Sequence, residues 1–146
     1  MKNLATWLVE DKVIFTSLIG DLTIEDFTKL DNDIIPLFKA SSSQTIHMLA
    51  DISLMTSMPG VFAMTKLQYI THPKIGYFIT QSRNPVEKFI GSTVGQILKT
   101  KYRFIDTLDD GIQFLATLDD SLPSVEEMHA RVESLRNEFV AQGATI

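Results

Sequence analysis

TIHMLADIS, Thr45 to Ser53, is the stretch on which the fold turns. A short apolar run stops abruptly at an acid and a hydroxyl, then gives way to Leu54 through Gly60, which read as a loop. That is the pattern of a central parallel strand. Such a strand is covered on both faces along its length and turns polar where its carboxyl end meets the rim of the sheet. The strand is expected over Thr45 to Asp51.

Working back from it, Ser41-Ser42-Ser43 is a loop, and Ile24, Phe27, Leu30, Ile34, Leu37 and Phe38 recur at helical spacing. Thr23 followed by Asp26 is a variant capping box that starts this helix, and Pro36 is expected to kink or shorten its end. Before it, Thr6 to Glu10 and Val13 to Ile19 are rich in β-branched and aromatic residues. Asp11-Lys12 lies between them, as in a tight antiparallel hairpin, and Gly20 punctuates its end.

Working forward, Pro59-Gly60 opens a helix expected over Val61 to Ile70, ended by His72-Pro73. Ile75 to Thr80 is a buried strand. Asn84-Pro85-Val86-Glu87 then supplies a cap, a proline at the first helical position and an acid in the first turn. Gly91 and Gly95 lie one turn apart on that helix. Each costs about 1 kcal/mol against Ala, which a close backbone approach would offset. Tyr102 to Ile105 is a last strand, and Thr107 with Asp110 caps a helix carrying Ile112, Leu115 and Leu118. Ser124 caps a final helix to about Gln142, stopped at Gly143. The order β-β-α-β-α-β-α-β-α-α predicts an α/β fold: a mixed, mostly parallel sheet of four to five strands with helices on both faces and an extra C-terminal amphipathic helix.

The 146 residues, 45% hydrophobic and 21% charged, fit one globular domain over 1–146, with a core of 1–120 and a terminal helix over 124–142. The net charge of −5 argues against nucleic acid, which needs clustered Lys and Arg. Without cysteine there is no disulfide, thiolate metal site or Cys nucleophile. Lys2 is followed by Glu10 and Asp11 before any apolar stretch of signal length, and no run reaches the roughly 20 apolar residues of a membrane span. The expectation is a soluble, cytoplasmic protein with no transmembrane segment.

The chain resembles the SpoIIAA-like and STAS domains, the fold of anti-sigma-factor antagonists, over about Trp7 to Leu118. The resemblance is carried by the opening hairpin, by Gly20-Asp21-Leu22-Thr23 at the first helix, and by the strand ending Asp51-Ile52-Ser53. His72-Pro73, Phe89, Arg103-Phe104 and the closing Asp-Gly-Ile-Gln-Phe-Leu helix are similar to uncharacterised members. The resemblance implies a four- or five-stranded sheet flanked by helices, and binding in place of catalysis. Sigma-regulating members carry a phosphorylated serine just past the strand-three loop. Here Pro59, Gly60 and Val61 fall there, so that switch is expected to be absent, with Ser53, Thr56 and Ser57 as substitutes. A related group with a similar sheet, the SEC14-like domains, binds lipids in an apolar pocket, and this chain is short for that architecture.

Ligands of open parallel sheets bind beyond the carboxyl ends of the strands. The expected rim gathers Asp21, Asp51, Ser53 and Arg83, with Gln81, Ser82, Asp106 and Thr107 beside them. Arg83 next to the helix start at Asn84 suits an anion, whereas caps and turns also need such residues. Asp51 reads as a general base or magnesium ligand, or as the acceptor of loop amides at Ser53 or Leu54. His47, His72 and His129 read as structural, and Lys99, Lys101 and Arg103 as a solvated helix end or a basic patch. No nucleophile elbow or phosphate loop is present, so no catalytic residue, metal site or cofactor is expected. Met55, Met58, Phe62 and Met64, with Val61, form an apolar lip that suits a binding surface, a fatty-ligand mouth or core. Val125, Met128, Val132, Leu135 and Phe139 form a two-heptad stripe that either docks on its own domain or pairs with a second copy. The functional expectation is a non-enzymatic regulatory or scaffold domain working through a protein partner, and expected to be a homodimer. The alternative is a small apolar-ligand or lipid-binding module.

Overall fold

The computed structural model describes residues 5–144, so Lys2 lies outside them. Five strands form one sheet in the order β1 (Ala5–Val9), β2 (Val13–Asp21), β3 (Ile46–Ser57), β4 (Ile75–Gln81) and β5 (Tyr102–Ile105). β1 and β2 are the expected antiparallel hairpin, turned by Asp11 at φ +67°, and the remaining pairs are parallel. Strands advance across the sheet in chain order, so the connections never reverse direction.

Two apolar layers sandwich the sheet. On one face α1 (Ile24–Ala40), α2 (Val61–Met64), a 3-10 turn (Tyr69–Thr71) and α3 (Pro85–Leu98) bury Phe27, Leu30, Ile34, Phe38, Met64, Tyr69 and Val94 against Ile14, Leu18, Met48 and Ile52. On the other face α4 (Leu108–Leu118) and α5 (Val125–Ala144) bury Ile112, Leu115, Met128, Val132 and Phe139 against Phe15, Leu49, Ile79 and Ile105. Alternate residues of the central strands feed opposite layers, which is why β3 reads as a continuous apolar run.

Local rules explain most boundaries. Thr23 and Asp26 form the reciprocal capping box, Asn84 accepts the Val86 and Glu87 amides, and Thr107 accepts the Asp110 amide. Four boundaries differ from expectation. β3 does not end at Asp51 but runs to Ser57, because β2 also continues, pairing Ile19 with Leu54, Gly20 with Met55 and Asp21 with Ser57. Gly20 permits this through φ +84°, between two register shifts. The helix expected over Val61 to Ile70 is instead the single turn of α2 followed by the 3-10 turn, whose first amides are taken by the buried Asp31 of α1 (2.7 Å to Gln68, 2.8 Å to Tyr69). α1 continues past Pro36 to Ala40. The amide that proline lacks would have bonded the Asn32 carbonyl, and both residues are exposed, so the lost bond lies on the solvent side of the helix. α5 likewise runs through Gly143 to Ala144.

A bulge lies at the amino end of β4, where two residues of β3 span three of β4. The Tyr77 amide donates to His47 Nδ1 at 3.0 Å, and a Cβ on Gly76 would strike the His47 ring. Among the described residues, no helix is long and apolar enough to cross a membrane.

Candidate functional site

Of the expected rim, Asp51 is buried, whereas Asp21, Ser53 and Arg83 are exposed. Asp51 is only 1% exposed and sits within β3, level with Ser17 on β2 and Gln81 on β4. Its Oδ1 accepts from the Ser53 amide (3.0 Å) and the Ser53 hydroxyl (2.6 Å), and its Oδ2 pairs with Arg136 Nε of α5 at 2.6 Å. Asp51 thus accepts the Ser53 amide, but that amide lies within β3 and not in a loop, and an ion pair to the terminal helix is added. Asp21 lies four residues farther along β2 than Ser17, roughly 13 Å at strand rise. There its exposed carboxylate accepts from Thr56 (2.5 Å) and Ser57 (3.0 Å), and these hydroxyls hold its pKa below the usual carboxylate value. Arg83 is exposed past β4, but the neighbouring helix-start amides are already capped by Asn84. Because strand order never reverses, the crevice that a reversal opens in doubly wound sheets does not form. Among the described residues, no three His, Asp or Glu side chains gather as a metal site would need.

Other expected groups have settled roles. Lys101, just before β5, lies 5.8 Å from the Tyr77 ring centre and Arg103 of β5 4.3 Å from that of Phe114, so both sit over aromatic faces. Lys99 is the left-handed C-cap of α3. His129 faces Asp109 and Glu133, and His72 stacks on Phe38 while its Nδ1 accepts the Lys74 amide. The terminal stripe is turned inward: Met128, Val132 and Phe139 are buried, and Val125 and Leu135 pack beside them on the chain's own sheet.

A hollow lies on the opposite face, between the sheet and α3. The register sets Thr16, Ala50, Thr80 and Phe104 side by side across β2, β3, β4 and β5. The first three are small, so the floor is low where they meet. Larger side chains, Leu18 and Ile52 on one side and Met48 and Phe78 on the other, wall the depression, and Ile90, Gly91, Val94 and Gly95 of α3 roof it. Its volume is about 110 Å³. The glycines do serve a close approach, made by aromatic rings. A Cβ on Gly91 would come 2.9 Å from Phe104, and one on Gly95 would strike Tyr102.

Three of the four lip residues belong to this hollow. Met55 and Met64 are buried in its wall and Met58 is half-buried there, whereas Phe62 stands 83% exposed on α2 outside it. Val86 and Phe89 are also exposed, on α3, which contacts α2. The wall is almost wholly apolar. Tyr69 contributes a phenol kept protonated by burial and by nearby Asp31, which push its pKa upward. Among the described residues, Glu87 contributes the one carboxylate, in the first turn of α3, where Ser82 Oγ donates to its Oε1 at 3.0 Å. Reading the sequence overlooked Glu87, which passes for a routine first-turn acid, and Thr16, Ala50 and Thr80, which become one floor only when the register is known.

No protein-family model matches the sequence, and no curated protein matches it. Among solved structures, the chain is similar to an uncharacterised DUF3478-family protein with a SpoIIAA-like fold from Shewanella loihica PV-4. The TM-score is 0.57 and the identity 13%, over 70% of this chain and 83% of that one. The mixed five-stranded sheet with flanking helices is therefore a SpoIIAA-like fold, as the hairpin and the Asp51-Ile52-Ser53 strand end implied.

Proposed function

We propose that the protein is a binding module, not a catalyst, and that it takes a small apolar molecule in the hollow under α3. The observation that carries this reading is the roughly 110 Å³ space floored by Thr16, Ala50 and Thr80 and walled by Met55, Met58 and Met64. An apolar cavity of about 150 Å³ in a protein core stays dry and accepts a benzene-sized guest. A space of similar order, beside flexible methionines, suits a guest of that class. The inward-turned stripe of α5 weighs against the expected dimer, since those side chains are occupied within the chain.

Mass spectrometry of the gently purified native protein, with toluene titration followed by NMR, tests the reading. Toluene is expected to shift the methyl resonances of Met55, Met58 and Met64, and Ala50→Leu, which raises the floor, is expected to abolish those shifts. Toluene shifts that persist unchanged in folded Ala50→Leu would place the guest elsewhere and defeat the proposal. The expectation of a protein partner keeps support from one observation: Phe62, Val86 and Phe89 stand exposed on the contacting helices α2 and α3.

A further inference from the structure

We infer that the hollow prefers guests carrying a hydrogen-bond donor, an amine or an alcohol, and disfavours carboxylic acids. The inference rests on the hollow being a ligand site and concerns the polar end of the guest. Glu87 lines the hollow, is buried, and is the one acidic or basic side chain in its wall among the described residues. Among the described residues, Lys, Arg and His are absent from that lining. The turn before α3 holds Glu87 in place. Ser82 Oγ donates to Oε1 at 3.0 Å and accepts the Asn84 amide at 3.2 Å. The position-three acid of a helix commonly reaches back to its own cap. Here Asn84 caps through its own side chain, leaving Glu87 to lean on Ser82.

A carboxylate offers about four acceptor positions, and Ser82 is the one side-chain donor to Glu87 among the described residues. Acceptor capacity is therefore left over at the edge of an apolar space. An ammonium or hydroxyl placed there forms a charge-assisted hydrogen bond, short and directional, while the rest of the guest covers the methionines and valine. A carboxylate guest meets the opposite situation: a like charge at close range, no cation to neutralise it, and a low local dielectric. The same apolar body should therefore bind with different strength according to its polar end alone.

Toluene, benzyl alcohol, benzylamine and benzoate share a ring and differ at that end, so their dissociation constants at pH 7, measured with the full chain by calorimetry or NMR, test the inference. Benzylamine is expected to bind about tenfold more tightly than toluene, as one charge-assisted hydrogen bond permits. Benzyl alcohol should fall between them and benzoate below toluene. In Glu87→Gln, the benzylamine advantage should shrink by about tenfold and benzoate should recover, with toluene unchanged. Binding of toluene together with equal affinities for benzylamine and benzoate would overturn the inference and leave the hollow as a ligand site. Failure of all four to bind would overturn both. Should Glu87→Gln not fold, the order among the four guests in the unaltered protein still decides.

Discussion

The pairing of Asp51 with Arg136 makes α5 part of the structure's electrostatics, and replacing Arg136 by Met isolates that contribution. Methionine keeps most of the apolar stem and removes the guanidinium. Asp51 is 1% exposed, whereas the Arg136 side chain is 38% exposed, so the pair is half in water. Breaking a fully buried pair costs about 3–5 kcal/mol, and an exposed pair contributes about 0–1. Two hydrogen bonds from Ser53 still hold Oδ1 after the change. The expected loss is therefore about 2 kcal/mol, between those limits. With a urea slope of about 1–3 kcal/mol/M, the midpoint should fall by about 1 M. The double variant Asp51→Asn with Arg136→Met removes both charges, keeps an acceptor for Ser53, and should be more stable than Arg136→Met alone. Equilibrium urea unfolding of the two variants and the unaltered protein supplies the comparison. A loss under about 0.5 kcal/mol for Arg136→Met, the usual range for a surface change, would show that Asp51 does not depend on its partner.

Two further expectations concern half-buried His47 and buried Asp31. Burial lowers the His47 pKa from its ordinary 6.5, with Lys101 adding to the effect and Asp119 opposing it. The folded state thus binds the proton less readily than the unfolded one. His47 contributes stability that is present above pH 6.5 and lost as pH falls through the lower folded value. His47→Asn, which retains an acceptor for the Tyr77 amide, should remove that component from the difference between the two stability–pH curves, and identical curves would refute it. Asp31→Ala leaves the Gln68 and Tyr69 amides without their acceptor. At about 1–3 kcal/mol per unsatisfied group, it should destabilise clearly more than Asp31→Asn, as read by thermal unfolding.

Local chemistry made much of this fold legible. The caps Thr23, Asn84 and Thr107 announced three helices, and the turn at Asp11-Lys12 announced the hairpin, because each depends on residues a few positions apart. What escaped depends on partners distant in the chain. The strand-three run continues beyond Asp51 only because β2 supplies a matching edge, and nothing within Leu54 to Ser57 indicates that. Asp51 ended an apolar run and so looked like a rim residue, yet its charge is answered 85 positions away by Arg136, and nothing near either residue in the chain links the two. The methionine lip could be named from composition, while the space behind it follows from three small residues meeting in register.

The sequential laying-down of the strands has a consequence for synthesis. Each crossover on the α1 side adds to the last finished strand, so that half of the protein can build progressively as it leaves the ribosome. The opposite side cannot. Leu8, Val13 and Phe15 wait for Met128, Val132 and Phe139, and Arg131 reaches back 123 positions to the Leu8 carbonyl. Until the final helix emerges, the hairpin shows a bare greasy flank to its surroundings. The nascent chain is most prone to clumping before α5 emerges, and truncation within α5 should harm yield far more than its share of the length suggests.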